Sequence, residues 1–264
     1  MHITPIIEIA QQAGQCILSF WRRSITVSLK ADRSPVTAAD QAAHQVIEQG
    51  LRQVTPALPI LSEEGPLIGW AQRKQWTSYW LVDPLDGTKD FLQGRAEFTV
   101  NIALIDQHMP ILSVMYAPAV DKLYYAIQGQ GAYLQQGQTS AQPVHVCESV
   151  SAKPRIASSR FHPNCALQSM LTQLGEHQLI IAGSSLKFGL IAEGLADVYL
   201  RFGPTCEWDT AAGQCILEAA GGQVVDFNQQ PLRYNQQASL INPHFLACGD
   251  ASQRWCAMAA GSTT

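Results

Sequence analysis

The chain contains the stretch Trp80-Leu81-Val82-Asp83-Pro84-Leu85-Asp86-Gly87-Thr88, in which an apolar segment ends in two carboxylates three residues apart. The apolar residues predict a buried strand, and Pro84 and Gly87 predict a tight turn after it. Strand ends at such turns are common positions for ligand-binding groups. Carboxylate oxygens suit a hard cation such as Mg²⁺, and the backbone N–H groups of Gly87 and Thr88 suit a phosphate. An acidic pair alone more often only caps a turn, but the apolar strand before it and Gly-Thr after it favour a functional site.

Three other acidic positions strengthen this interpretation. Glu63 follows a predicted strand at 59–62, Asp209 opens a predicted helix, and Asp40 lies at the start of another helix. Each of them alone is as well explained by a solvated turn or a helix cap. If the acids converge, they raise one another's pKa, and bound divalent ions remove that penalty. Two ions about 4 Å apart clamp the attacking and leaving oxygens of a phosphoryl transfer, and one activates a water, so no protein nucleophile is needed.

Composition excludes several other classes of protein. The 264 residues carry a formal charge of −4 without any block of like charge, so neither nucleic acid nor an anionic membrane is an expected partner. Seven widely spaced cysteines without a C-x-x-C pair predict neither disulfides nor a zinc site. We see no signal peptide and no apolar run of the ~20 residues that a transmembrane helix needs. The expected location is therefore the cytoplasm, with attachment to the cytoplasmic face of the inner membrane as an alternative.

Hydrophobic periodicity predicts a chain of mixed helices and strands. Thr4 is expected to be the N-cap of a first helix that ends at Trp21, and a second helix is expected at 38–54. Further strands are expected at 98–104, 111–116, 123–127, 155–158, 179–182, 197–201 and 224–227, and further helices at 164–174, 184–193 and 210–220. Residues 135–143 are rich in Gln, Gly, Ser and Thr, which predicts a boundary between an N-terminal α+β lobe at 1–140 and a C-terminal α/β lobe at 141–264.

The acidic motifs together resemble the signature of the inositol monophosphatase-like, lithium-sensitive phosphatases: Glu63-Glu64, Asp83-Pro-Leu-Asp86-Gly-Thr88 and Trp208-Asp209-x-x-Ala212-Gly213. Longer strings resemble the CysQ branch, the 3′(2′),5′-bisphosphate nucleotidases: Lys30-Ala-Asp32-x-Ser-Pro-Val-Thr-Ala-Ala-Asp40, Leu61-Ser-Glu-Glu64, Asp83 to Phe91, Gly183-Ser-Ser-Leu-Lys-Phe188 and Arg201-Phe-Gly-Pro-Thr205. The similarity extends from the first helix to Phe245. Asp90 and Gly65 depart from the residues that are more common in the branch, and neither is an expected metal ligand.

The resemblance implies a fold and a set of ligands. The fold is the α+β sugar-phosphatase fold, a layered αβαβα sandwich in which Asp209 comes from the second lobe across a cleft. Two or three Mg²⁺ ions are implied, with a first ion held by Glu63, Asp83 and the Leu85 carbonyl and a second by Asp83, Asp86 and Asp209. Thr88, oriented by Asp40, positions the attacking water with help from Glu63, and the Gly87 and Thr88 amides hold the phosphate that is cleaved.

The resemblance also implies a place for a second phosphate. In related bisphosphate nucleotidases a serine and a lysine three residues later bind there, and they correspond to Ser184 and Lys187. Arg201 lies where a further basic residue is found, and His162 is a candidate for contact with the nucleoside. Basic residues are usually exposed for solubility, but Arg201 ends an apolar strand, which favours a position in the cleft. The substrate-binding set is therefore Glu63, Leu85, Asp86, Gly87, Thr88, His162, Ser184, Lys187, Arg201 and Asp209.

The function predicted from these residues is Mg²⁺-dependent hydrolysis of adenosine 3′,5′-bisphosphate to AMP and phosphate, linked to sulfate assimilation. The partner is then a small phosphonucleotide, and the protein is a monomer or a homodimer. An inositol or sugar phosphatase of the same superfamily is one alternative, and a non-catalytic phosphometabolite-binding protein is another. The spacing D-x-x-D-G-T differs from the D-x-D-G-T of haloacid-dehalogenase-like phosphatases, in which the first Asp is a covalent nucleophile.

Overall fold

The structure is a computed structural model that describes residues 2–23, 27–29, 35–147, 149, 152–160, 165–249 and 255–257. The helices in these ranges are α1 (Thr4–Phe20), α2 (Ala38–Val54), α3 (Trp70–Arg73), α4 (Thr88–Leu92), α5 (Cys165–Leu174), α6 (Leu186–Ala192) and α7 (Ala211–Ala219), with a 3₁₀ turn at Glu207–Asp209. The strands are β1 (Val27–Leu29), β2 (Pro35–Thr37), β3 (Ile60–Ser62), β4 (Ser78–Asp86), β5 (Thr99–Asp106), β6 (Met109–Ala117), β7 (Lys122–Ile127), β8 (Gly131–Gln136), β9 (Gln142–Val144), β10 (Arg155–Ser158), β11 (Gln178–Ile181), β12 (Val198–Arg201), β13 (Gln223–Asp226) and β14 (Phe245–Cys248).

The first large sheet has the strand order β3-β4-β5-β6-β7-β8-β9. β3 and β4 are parallel, and each later neighbour is antiparallel. β4 carries a bulge between Asp83 and Asp86, which pair with Asn101 and Thr99 of β5. Pro84 lies in this bulge because proline has no N–H to give to the ladder. The bulge therefore places the two acids at the end of the strand where the chain turns.

Side chains of β4 alternate between two cores, as expected for a strand that is buried on both faces. Trp80 and Val82 pack with the apolar faces of α1 and α2. Tyr79 and Leu81 point to the opposite face, where they belong to a core that includes α6 and α7. The two helical layers therefore cover the two faces of the first sheet.

The second large sheet has the order β11-β10-β12-β14-β13, with β10 parallel to both of its neighbours and β14 antiparallel to its own. Its residues Tyr199 and Phe245 share the core of α6 and α7, so these helices lie between the two sheets. On the other face, Leu200 and Leu246 pack against α5 residues that include Met170. The order of layers is αβαβα, and the predicted fold class is confirmed.

Several local predictions differ from the structure. Thr4 is not the N-cap of α1: it is the first helical residue, it follows Ile3, and no side chain caps the turn. Asp209 does not cap α7, because it ends the 3₁₀ turn and accepts a hydrogen bond from the Cys206 N–H at 2.9 Å. β14 was not predicted, although it lies inside the second sheet. β9 extends the first sheet to Val144, beyond the predicted lobe boundary at residue 140, and the two-lobe division itself stays a prediction.

Candidate metal and phosphate site

Three carboxylates from distant parts of the chain meet beside the bulge of β4. The parallel pairing of β3 with β4 brings Glu63 next to Asp83, and the Glu63 N–H donates to the Val82 carbonyl at 3.1 Å. Asp209 reaches the same point from the 3₁₀ turn. Carboxylate oxygens of Glu63, Asp83 and Asp209 all lie within 4.8 Å of one another. This is the convergence of acids on which the sequence-based hypothesis depends.

The electrostatics of the cluster favour a bound cation. Asp83 is 1 % exposed, and burial raises its pKa well above the usual range, with further increases from Glu63, Asp86 and Asp209. Burial also raises the pKa of Asp209, and the charges of Asp86 and Glu63 add to the shift. Clustered carboxylate oxygens are the donor set that hard divalent cations prefer. These residues therefore fit the metal site that was predicted.

Asp86 belongs to the same acidic group but has different partners. Its Oδ2 accepts a hydrogen bond from the Ser185 N–H at 2.7 Å and from the Ser184 hydroxyl at 2.7 Å. Its Oδ1 accepts no hydrogen bond from any residue that the structure describes. One oxygen of Asp86 thus fixes the side chain, and the other is left for a ligand.

Asp40 and Thr88 lie beside the bulge and contact each other. Asp40 Oδ2 accepts from the Thr37 N–H at 2.8 Å and the Thr37 hydroxyl at 2.6 Å, which fixes the carboxylate. The Thr88 hydroxyl lies 3.3 Å from Asp40 Oδ1 and 3.2 Å from the Leu85 carbonyl oxygen. Burial raises the pKa of Asp40, while the hydrogen bonds from Thr37 oppose that shift. The contact predicted between Asp40 and Thr88 is present.

Gly87 makes the turn into α4. Its φ of +90° is a conformation that side chains rarely allow. A Cβ at this position would lie 3.0 Å from the Glu97 carbonyl oxygen, so substitution would also crowd the neighbouring loop. The glycine therefore lets the chain turn tightly enough to place the Thr88 N–H at the start of α4.

A cleft of about 380 Å³ runs from the acids to the second sheet. Every predicted site residue within the described ranges lines it except Asp40, which contacts the lining residue Thr88. His162 falls outside the described residues. The lining residues are Glu63, Asp83, Leu85, Asp86, Gly87, Thr88, Lys89, Asp90, Ser159, Ser184, Ser185, Lys187, Phe188, Tyr199, Arg201, Pro204, Thr205, Asp209, Thr210 and Phe245.

Two buried cations line this cleft together with the acids. The Lys187 Nζ donates to the Ser184 carbonyl at 2.6 Å and lies 4.9 Å from the centre of the Tyr199 ring. Burial lowers the pKa of Lys187 to about 8, an effect that Asp86 partly opposes and Arg201 reinforces. Arg201 is 8 % exposed and donates to the carbonyls of Gly203 and Pro204 at 3.2 and 2.8 Å. The cleft is therefore lined both by carboxylates and by buried cations.

Sequence reasoning missed several polar residues around Asp86. Thr99 and Asn101 of β5 bond to the hydroxyls of Ser184 and Ser185, and Glu97 bonds to the loop before α6. Ser185 follows a predicted site residue directly, so adjacency was an available signal for it. The β5 residues showed only an ordinary strand alternation, because cross-sheet partners leave no local mark in the sequence.

The fold and the cleft define a class of protein, the metal-dependent phosphatases that bind their cations through carboxylates. The chain belongs to the inositol monophosphatase family, whose family model matches residues 2–262. It is 48 % identical over 245 residues to the 3′(2′),5′-bisphosphate nucleotidase CysQ of Escherichia coli K12, covering 92 % of this chain and 98 % of that protein. It is 37 % identical over 254 residues to CysQ of Haemophilus influenzae, covering 96 % and 94 %.

A solved structure gives the same result. CysQ from Bacteroides thetaiotaomicron, a bacterial member of the inositol monophosphatase family, matches this chain with a TM-score of 0.83 and 38 % identity, covering 94 % of this chain and 97 % of that one. The predicted resemblance to the CysQ branch is confirmed, and so is a phosphatase enzyme. Among the described residues, no helix has the length and apolar character needed to cross a membrane. The roles of individual site residues stay predictions.

Proposed function

We propose that this chain removes the 3′-phosphate from adenosine 3′,5′-bisphosphate, yielding AMP and phosphate in support of sulfate assimilation. The observation that carries the proposal is a single cleft lined both by the buried cations Lys187 and Arg201 and by clustered carboxylates. A phosphomonoester needs only the carboxylates and their cations, whereas a bisphosphate also uses Lys187 and Arg201. Relatives that are 48 % identical and named as bisphosphate nucleotidases support the same substrate. A cytoplasmic location and a monomeric or homodimeric state stay predictions.

The carboxylates of the cleft are proposed to hold two or three Mg²⁺ ions. Glu63, Asp83 and the Leu85 carbonyl are the ligands of one ion, and Asp83, Asp86 and Asp209 are those of another. When bound, such ions supply Lewis-acid stabilisation of the phosphoryl group and lower the pKa of an attacking water. Among the chain's own groups, the N–H of Leu85 donates to Asp83 Oδ1 at 3.0 Å and so orients this shared ligand.

Thr88 and Asp40 are proposed to orient the attacking water. The Thr88 hydroxyl has one proton, and its neighbours Asp40 Oδ1 and the Leu85 carbonyl are both acceptors. With the proton directed to these oxygens, the lone pairs of the hydroxyl remain available to accept a hydrogen bond from water. Water held in this way turns an oxygen lone pair toward phosphorus, and Glu63 on the adjacent strand end accepts a hydrogen bond from its other O–H.

Lys187 and Arg201 are proposed to bind the second phosphate. Lys187 carries its proton at pH 7 because its pKa of about 8 lies above that value. Arg201 is held by two carbonyls, and its planar group suits phosphate oxygens. Ser184 offers a hydroxyl beside Lys187, although in this structure that hydroxyl donates to Asp86. His162 remains a proposed contact for the nucleoside.

The test is a panel assay of Mg²⁺-dependent phosphate release from adenosine 3′,5′-bisphosphate and inositol 1-phosphate. Lys187→Gln keeps a donor for the Ser184 carbonyl but removes the charge. Because charged hydrogen bonds contribute about 1.5–3 kcal/mol, it should raise KM for the bisphosphate roughly 10-fold or more and change inositol 1-phosphate less than about twofold.

The matched control is Lys122→Gln, which removes a half-buried lysine paired with Glu193 outside the cleft. Lys122→Gln should leave the rates of phosphate release from both substrates unchanged. Equal losses with both substrates in Lys187→Gln, or a wild type that prefers inositol 1-phosphate, would favour an inositol or sugar phosphatase. A wild type that releases phosphate from neither substrate would favour a non-catalytic binding protein.

A further inference from the structure

The segment Ala182–Ser185 connects β11 to α6 and carries the two groups that hold Asp86; we refer to it as the Asp86 loop. The Ser185 N–H and the Ser184 hydroxyl both donate to Asp86 Oδ2 at 2.7 Å. A carboxylate with one oxygen fixed by two donors presents its other oxygen in one direction. The position of this loop therefore sets the direction in which Asp86 can bind a cation.

The Asp86 loop has a backbone that needs outside support. Ser184 has a φ of +56°, in the left-handed region that non-glycine residues rarely occupy. Gly183 has no room for a side chain, since a Cβ there would lie 2.6 Å from Asp90 Oδ2 and 2.7 Å from the Glu97 carbonyl oxygen. Such conformations persist where surrounding contacts over-determine them.

Residues at the start of β5 supply part of this support. The Thr99 hydroxyl lies 2.5 Å from the Ser184 hydroxyl and 2.7 Å from the Ser185 hydroxyl. The Ser185 hydroxyl donates to Asn101 Oδ1 at 2.8 Å. These contacts hold the side chains of the loop, whereas the Gly183 N–H donates to another partner.

That partner is Glu97. Its Oε2 accepts the Gly183 N–H at 2.7 Å, and both of its oxygens accept from Arg160, at 2.9 and 3.2 Å. Arg160 also donates to Asp90 at 3.2 Å. Burial would raise the pKa of Glu97, but Arg160 and the Gly183 N–H outweigh it, so the net shift of the pKa is downward. Glu97 is thus held as an anion in one orientation.

We propose that Glu97, backed by Arg160, is a positioning residue that holds the Asp86 loop and thereby sets the affinity of Asp86 for its cation. Glu97 does not line the cleft, so it acts through Gly183 and Ser185 and not by contact with substrate. The inference rests on the proposed function only in taking Asp86 as a metal ligand. Groups that orient metal ligands typically change metal affinity about 10–100-fold when they are replaced.

The experiment measures Mg²⁺ binding to the purified protein by isothermal titration calorimetry, without substrate. Glu97→Gln can still accept the Gly183 N–H, but its amide group no longer matches the two donors of Arg160. We expect Mg²⁺ affinity to fall about 10-fold and the Mg²⁺ concentration for half-maximal phosphate release to rise by a similar factor, as for other groups behind metal ligands. At saturating Mg²⁺, kcat should stay within about threefold of wild type because no group that touches substrate has changed.

A matched control is Glu193→Gln, which breaks a comparable ion pair with Lys122 at the opposite end of α6 from the Asp86 loop. This control should leave Mg²⁺ affinity unchanged. If Glu97→Gln does not fold, Arg160→Lys provides the same test, since Arg160 is about one-third exposed and lysine has one donor nitrogen in place of the two that face Glu97. We expect Arg160→Lys to lose less Mg²⁺ affinity than Glu97→Gln.

The proposal is overturned if Glu97→Gln binds Mg²⁺ within twofold of wild type, if Glu193→Gln loses as much affinity, or if only kcat at saturating Mg²⁺ falls. It is also overturned if the wild type binds no Mg²⁺, a result that refutes the metal site itself. A wild type that binds Mg²⁺ but does not hydrolyse the bisphosphate refutes the proposed substrate alone, because the calorimetric comparison of variants needs no substrate.

Discussion

Replacing Asp83 by asparagine should have opposite effects on the activity and on the stability of the metal-free protein. Asp83 is 1 % exposed and belongs to the three-carboxylate cluster. Two unit charges 4.8 Å apart repel by about 3 kcal/mol at an effective dielectric constant of ~20. Protonation already relieves part of this repulsion, because the pKa of Asp83 is raised by burial and then by Glu63, Asp86 and Asp209. We therefore expect Asp83→Asn to stabilise the metal-free fold by about 1–3 kcal/mol at pH 8.

The pH dependence has a definite sign. The unfolded chain loses the Asp83 proton near its ordinary pKa of 3.8, whereas the folded metal-free chain keeps it to higher pH. The folded state therefore binds more protons above that pH, and its stability falls as pH rises through the raised pKa. Asparagine removes this slope, so the difference in stability between variant and wild type should grow from pH 5 to pH 8.

Urea unfolding at pH 5 and pH 8, with a chelator or with Mg²⁺, measures these effects. Mg²⁺ should stabilise the wild type and leave Asp83→Asn almost unchanged, because binding to the folded state alone adds to stability. The kcat/KM for phosphate release should fall at least ~10³-fold, equivalent to about 4 kcal/mol of lost transition-state stabilisation. The reasoning is refuted if the asparagine variant is the less stable one without metal at pH 8, or if Mg²⁺ still stabilises it fully.

Other consequences of the structure can be measured separately. The kcat/KM for adenosine 3′,5′-bisphosphate should be level up to about pH 7 and fall to roughly half near pH 8, since the pKa of Lys187 is lowered to about 8 and only its protonated form attracts phosphate. Lys187→Arg should remove that fall, and an unchanged pH profile would contradict the assignment. Gly213→Ala should cost about 1–3 kcal/mol in urea unfolding, because its Cβ would lie 2.4 Å from the Phe188 ring between the two sheets. Gly69→Ala is the control with open space around it, and equal effects would refute the packing argument. Thr88→Val should lower kcat roughly 10–100-fold without changing calorimetric Mg²⁺ affinity, as expected for a group that orients water; weakened Mg²⁺ binding would place Thr88 among the ligands instead.

The acidic motifs were predictable because each is local in the chain. The apolar residues before Asp83 define a strand, and Pro84 and Gly87 define the turn after it. The parallel pairing of β3 with β4, which brings Glu63 beside Asp83, was not derivable from residue patterns alone. The family resemblance implied only that Glu63 and Asp83 share a metal ion, since the sequence of a short strand does not show which strand lies beside it.

The second half of the chain shows where local patterns are insufficient. β14 was missed although Phe245–Cys248 lies buried between β12 and β13. A short apolar run buried on both faces lacks the alternation that marks a half-exposed strand. A helix cap was the alternative explanation of Asp209, yet Thr210 is the N-cap of α7 and Asp209 ends a 3₁₀ turn. This shift is only one residue along the chain, but it determines the direction of the Asp209 carboxylate.

The sequence by itself determined the class of chemistry, because carboxylates after apolar strands and a glycine turn specify hard-cation and phosphate binding through local backbone geometry. Only the tertiary structure decided which groups hold Asp86. Glu97 and Ser185 are 88 residues apart in the chain, and their connection through Gly183 depends on how two sheets pack around α6 and α7. Contacts of that kind arise from packing between layers, and no periodicity along one strand or helix encodes them.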